Sequence, residues 1–164
     1  MTASERAQLI AQYQEGYAQV AQALHNITPA ELDYRWSPEK WTAREIIHHL
    51  ADSEMTSAIR LRKLLVEEQP QIQGYDQEAF ARRLLYARRP IAPALAAFKA
   101  ARDTTAQLLE FMTDADWQRT GHHSESGAYS AETWLRIYAA HAHNHAEQIR
   151  HCRRRYQELG RAPG

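Results

Sequence analysis

Apolar residues recur at intervals of three and four along long tracts of this chain, a spacing that lays them on one face of a helix. No stretch shows the sustained two-residue alternation of a half-buried strand. In the first tract, from about Ser4 to Ile27, the pattern runs through Leu9, Ile10, Tyr13, Tyr17, Val20, Leu24 and Ile27. Thr28-Pro29-Ala30-Glu31 then combines an N-cap, a first-position proline and an acid three residues after the cap, which starts a short second helical piece. Polar residues Arg35 to Lys40 end it. A capping box of Thr42 and Glu45 opens the next long helix, through Ile46, Ile47, Leu50, Ala51, Ala58 and Ile59 to about Glu68, with Pro70 beyond its end. A third runs from about Ile91 to Met112, and a fourth from Ser130 to about Leu159. Only 6 glycines and 6 prolines interrupt 164 residues. The fold class expected is all-α, a four-helix bundle within one domain spanning 1–164.

The connections bear on topology. Gln69 to Pro90, with a helical turn expected around Glu78 to Leu85, is longer than a compact bundle needs, so it should cross over rather than turn tightly. Gly121 to Ala128 reads as a loop. Thr113-Asp-Ala-Asp repeats the chemistry of Thr28-Pro-Ala-Glu at an offset of 85 residues, and Tyr129-Ser130-Ala131 echoes Trp41-Thr42-Ala43 at 88. Capping chemistry alone is sufficient to generate such an echo.

Charge and cysteine content exclude several classes. Lysine plus arginine and aspartate plus glutamate number 20 each, so no net charge drives binding to nucleic acid or to an acidic membrane. The longest unbroken apolar run is Ala94 to Phe98, far short of the roughly 20 residues that span a bilayer. Cys152 is the only cysteine, so no internal disulfide forms, and it is read as core packing. A cytoplasmic protein is expected, with neither nucleic acid nor membrane as partner.

The unusual element is 9 histidines. His48 and His49 fall in the second long helix, and His141, His143, His145 and His151 in the fourth. At about 100° per residue, His141 and His145 project within the stripe of Trp134, Leu135, Tyr138, Ile149 and Cys152, whereas His143 and His151 fall outside it and read as solvated. Two histidines at i and i+4 sit one above the other and can converge on a single ion at about 2.0–2.1 Å per nitrogen. The bland reading makes each a core histidine bonded to a neighbour. An inward pair facing a second histidine pair tips the reading toward metal, because several buried imidazoles without partners are costly. Periodicity does not choose between His48 and His49 as a third ligand. Glu45 and Asp52, four residues before and three after His49, are candidate partners for its other ring nitrogen, beside the plain readings of a helix cap and a surface acid.

The tract Trp41-Thr42-Ala43-Arg44-Glu45-Ile46-Ile47-His48-His49-Leu50-Ala51-Asp52-Ser53 resembles the DinB/YfiT superfamily, most closely its YfiT branch. So do Arg60 to Tyr75, with its Glu-Glu-x-Pro and Gly-Tyr-Asp elements, and His141-x-x-x-His145-x-x-x-Ile149. The resemblance implies a bundle of up-down-down-up type, a cytoplasmic homodimer, and one divalent metal ion per chain held by three histidines. In the family's pattern the metal histidine directly precedes Leu-Ala-Asp, which is His49 here, and the other two fall on His141 and His145. Glu54 and Asn144 stand where the branch often has further histidines.

Three neutral histidines leave the fourth position of zinc, or more positions of nickel, manganese or iron, open to water or substrate. Zinc or nickel is expected first. Such an ion lowers the pKa of a bound water to about 7, or holds a substrate thiol as thiolate. Relatives in the family include enzymes that join a low-molecular-weight thiol such as bacillithiol or mycothiol to an electrophile, and others described as metal-dependent hydrolases. The resemblance therefore implies a small-molecule enzyme, with thiol S-transfer expected first, hydrolysis second and a non-catalytic metal-binding stress protein third. Because ligating nitrogens must be unprotonated, metal affinity is expected to fall below about pH 6.

Overall fold

The computed structural model describes residues 1–160. Four long helices dominate: α1 (Ala3–Ala23), α3 (Ala43–Val66), α5 (Ile91–Phe111) and α7 (Ala131–Leu159). Short helices α2 (Pro29–Asp33), α4 (Gln77–Arg83) and α6 (Asp114–Trp117), with a single 3-10 turn at Tyr86–Arg88, lie between them. The capping boxes expected at Thr28 and Thr42 both form, each threonine hydroxyl accepting from the backbone N–H of the glutamate three residues on. The first helix is shorter than its apolar pattern. Leu24 caps it and Asn26 adopts φ 54°, a left-handed conformation that asparagine tolerates and that stops the helix before Ile27.

Side-chain pairs set the direction of each helix. Met1, Gln12 and Gln19 meet Glu132, His143 and Arg150, each pair separated by 131 residues, so α1 and α7 run parallel. Glu54 meets Arg102 and Arg62 meets Thr105, so α3 and α5 also run parallel. Between the pairs the order reverses: Trp41, His49 and Ser57 face Cys152, His141 and Trp134. The bundle is therefore up-down-down-up. Parallel α3 and α5 require the intervening chain to travel back along the bundle, which is why residues 67–90 are long and carry structure of their own.

A three-stranded sheet, absent from the sequence-based expectation, closes one end. β2 (Thr120–His123) pairs antiparallel with β3 (Gly127–Ser130), and β1 (Gln71–Ile72) pairs parallel with β2. Gly127 turns the hairpin at φ 76°. These strands are too short for alternation to show, and β1 pairs with a partner about fifty residues away, so the loop expected at Gly121 to Ala128 is corrected to a hairpin.

The apolar core falls into two clusters, one around Val20, Leu50, Phe98 and Ile149, the other around Tyr13, Leu61, Leu109 and Trp134. A polar layer separates them. Glu54, fully buried, accepts from Arg102 Nη1 at 2.6 Å and from the Tyr13 hydroxyl at 2.5 Å. Arg102 also donates to the Tyr13 carbonyl at 2.7 Å and the Tyr138 carbonyl at 2.9 Å, and its guanidinium lies 3.9 Å from the Tyr13 ring centroid. One residue from each long helix thus joins a single network. Gly16 makes room for it: a Cβ there would fall 2.6 Å from Arg102 Nη2 and 2.7 Å from Ala142 Cβ. Gly16→Ala should therefore lower stability by about 1–3 kcal/mol through overpacking, despite alanine's better helix propensity. Urea unfolding measures it, and an unchanged or raised midpoint would show that α1 and α7 can separate without cost.

Candidate metal centre

Both His48 and His49 are buried on α3, while helix periodicity places His141 and His145 one above the other on α7. Because α3 and α7 run antiparallel, the three rings meet. His141 Nε2 lies 3.2 Å from both His49 Nε2 and His145 Nε2, and one ligand nitrogen from each histidine lies within 4.8 Å of the others. His48, the alternative that spacing left open, points elsewhere: its Nε2–H donates to the Arg89 carbonyl at 3.1 Å and its ring stacks on Tyr86.

The trio fits a divalent ion on three grounds. His145 Nδ1–H donates to Gln148 Oε1 at 2.8 Å, which turns its Nε2 lone pair inward. Where His49 and His141 also turn Nε2 lone pairs inward, those lone pairs repel unless a cation lies among them. A proton is a poor candidate, since burial, aided by the neighbouring His145, pushes His49 down to about 3, and burial likewise holds His141 and His145 below the ordinary histidine value. Nitrogens bound tetrahedrally at about 2.0–2.1 Å stand about 3.3–3.4 Å apart, close to the two short separations observed. The Nδ1 atoms of His49 and His141 are buried without a hydrogen-bond partner.

Neither candidate supporting acid reaches His49. Glu45 accepts from Arg35 at 2.7 and 2.8 Å and from the Thr42 backbone at 2.8 Å, so it serves the helix cap and an ion pair. Asp52 accepts instead from the Tyr86 hydroxyl. The face of His49 is covered by Trp41, ring centroids 4.8 Å apart. His143 and His151, expected in solvent, are half-buried: His143 donates to the Gln12 carbonyl at 2.9 Å and His151 stands edge-on to Trp36. Cys152 is buried as expected, burial raising its thiol pKa away from the thiolate.

Two chambers adjoin the trio. A cavity of about 370 Å³ is lined by His145 together with Trp36, Trp41 and Ile46. Another, of about 170 Å³, is lined by His141 with Ser53, Arg60, Tyr75 and Tyr138. Sequence reasoning missed Arg60 and Tyr75 as site residues, although both bound the tract that carried the family resemblance. It also missed the Glu54–Arg102 pair. Glu54 lies in register with Leu50 and Leu61, and Arg102 with Phe98 and Leu109, so a charge on each apolar stripe was the available signal.

A helical bundle with a cluster of three inward histidines from two antiparallel helices defines a class of candidate metal-binding bundles. The chain belongs to the DinB superfamily, whose model matches residues 12–149. A Bacillus subtilis protein, YfiT, is 32% identical over 139 residues, 84% of this chain and 78% of that protein. An Oceanobacillus iheyensis protein is 37% identical over 119 residues, 73% of this chain and 69% of its own length. Both bear the name "Putative metal-dependent hydrolase". The solved structure of YfiT, described as a probable metal-dependent hydrolase with an unusual four-helix bundle topology, superposes with a TM-score of 0.89 at 29% identity. The match covers 96% of this chain and 90% of that one. No helix among the described residues is long and apolar enough to cross a membrane.

Proposed function

We propose that the protein is a metal-dependent hydrolase of small molecules, with one divalent ion held by His49, His141 and His145. The observation that carries this reading is the convergence of three Nε2 atoms, kept neutral by burial, beside two chambers that a substrate can enter. A divalent ion held there supplies a Lewis acid and a water of lowered pKa for attack on a carbonyl or phosphoryl centre. The chain's own residues do the rest. Gln148 fixes the tautomer of His145, Trp41 excludes water from one face of His49, and the chambers position the groups on either side of the scissile bond. With no carboxylate among them, His49, His141 and His145 would leave the charge of a bound ion unneutralised, which would favour polarisation of water and substrate.

Thiol S-transfer, placed first on the resemblance, uses the same three histidines. The names borne by the relatives favour hydrolysis, so the order is reversed here. A panel of esters and amides assayed without thiol, beside a low-molecular-weight thiol with a model electrophile, separates the readings. Hydrolysis predicts turnover in the first set that chelator abolishes. Turnover only with thiol would establish the transferase, and turnover in neither would leave a metal-binding protein. Metal analysis of protein purified without a histidine tag identifies the ion, zinc or nickel being expected before manganese or iron. The family resemblance, rather than this reading, implies a cytoplasmic homodimer, whose assembly sedimentation equilibrium checks.

A further inference from the structure

The smaller chamber has a composition that hydrolysis alone does not require. Arg60 donates from Nη1 to the Tyr138 hydroxyl at 3.1 Å and from Nη2 to the Gln73 carbonyl at 2.6 Å, which uses two of the five N–H donors of a guanidinium. Its Nε is buried without a partner, and Arg60 enters no ion pair among the described residues. The Tyr75 hydroxyl, in the same chamber wall near Ser53, is likewise buried and has no partner at hydrogen-bonding geometry. Glu125, the acid that lines this chamber, is exposed. A cation and the Tyr75 phenol, each with unspent hydrogen-bonding capacity, therefore line a small space that also touches His141. The larger chamber, which touches His145, is walled by the indoles of Trp36 and Trp41 and by Ile46, with the exposed Glu39, Lys40 and Glu78 also in its lining. Gln77 lines both chambers.

Resting on the hydrolase reading above, we infer that the substrate is bipartite: a carboxylate-bearing end seated on Arg60 and Tyr75, and an aromatic or branched apolar end seated between Trp36 and Trp41. The reacting bond then lies between the chambers, beside the three histidines. A carboxylate is the group that fits, since it is small enough for about 170 Å³ and accepts two parallel N–H bonds from one guanidinium. The apolar end contributes affinity through burial, and the anion fixes the direction in which the substrate lies.

Calorimetric titration of the metal-loaded full chain with 4-phenylbutyrate and with its neutral isostere 4-phenylbutyramide tests this without turnover. Wild-type protein should bind the carboxylate about ten to a hundred times more tightly than the amide, the range of a charge-assisted hydrogen-bonded pair. Arg60→Gln should abolish that preference, weakening carboxylate binding far more than amide binding. Trp36→Ala should weaken both probes by the same factor. Circular dichroism checks the fold, and Tyr75→Phe, which removes an unpartnered hydroxyl, provides a milder variant that should lower the preference about threefold to tenfold. A preference that survives in both Arg60→Gln and Tyr75→Phe would mean that the carboxylate binds the ion instead, and would overturn the inference. So would binding of neither probe to wild-type protein. Because binding is read rather than hydrolysis, these outcomes stand apart from the turnover assays that decide the hydrolase reading.

Discussion

Arg102→Met is expected to lower stability by about 3–5 kcal/mol, because it leaves the Glu54 carboxylate buried at the centre of the bundle without its cation. The double variant Glu54→Leu/Arg102→Met should recover much of that loss, since a buried ion pair replaced as a whole by apolar side chains is often neutral or stabilising. The sign of the pH dependence follows from the stranded acid. Burial raises the folded-state pKa of Glu54 above its ordinary value, and Arg102 opposes that rise in the wild type. Without the arginine the raised value stands unopposed. A group raised on folding contributes stability below its unfolded pKa and loses it as pH rises through the folded one. The deficit of Arg102→Met relative to wild type should therefore be smaller at pH 4.5 than at pH 8. Urea unfolding at the two pH values measures it. A deficit that does not change with pH, or a double variant no more stable than the single, would show that the loss does not come from a Glu54 carboxylate stranded without its cation.

His141→Ala is expected to lower metal affinity by at least about 100-fold, more than the 10- to 100-fold that loss of a supporting partner costs, because His141 is the nitrogen common to both short contacts. His49→Ala and His145→Ala should act in the same sense, and His48→Ala should leave occupancy intact. Metal content after dialysis is the measurement. Full occupancy in His141→Ala, or an emptied site in His48→Ala, would remove the ligand assignment. The expectation that affinity falls below about pH 6 is revised by the burial of these rings. Metal-free folded protein keeps them neutral to lower pH, while the unfolded chain takes up protons near 6.5. A histidine depressed on folding contributes stability that is whole above its unfolded pKa and is lost as pH falls, for His49 between about 6.5 and about 3. Metal-free protein should thus destabilise from pH 6.5 downward, and metal-free His49→Ala should do so with a flatter slope. Parallel slopes would show that the His49 ring is not held neutral by burial.

Much of the fold was legible because its signals are local. Capping boxes at Thr28 and Thr42, a proline beyond the second long helix and three-four spacing of apolar residues each report on a few neighbouring residues. The inward placement of His141 and His145 was legible for the same reason, since they share a helix and a face. The hairpin at residues 120–130 was not, because its four-residue strands are too short for alternation to show, and the third strand β1 joins it only across α5. Nor was the solvation of His143 and His151. Their partners, Gln12 and Trp36, lie on other elements, and a helical wheel shows which way a side chain points but not what stands opposite.

The choice of His49 over His48 marks the boundary between local and tertiary information. Both lie on α3 at the edges of one apolar arc, so their own helix treats them alike, and family resemblance alone separated them beforehand. The antiparallel crossing of α3 with α7 brings the His49 ring to His141 and His145 and leaves His48 against Tyr86 and the Arg89 carbonyl. The same holds for Glu54 and Arg102, whose charges sit on apolar stripes of different helices and become a pair only when parallel α3 and α5 align them. Periodicity fixes the direction of a side chain relative to its own helix axis. Which groups share a low-dielectric interior, and so which charges and lone pairs must satisfy one another, depends on how the axes pack.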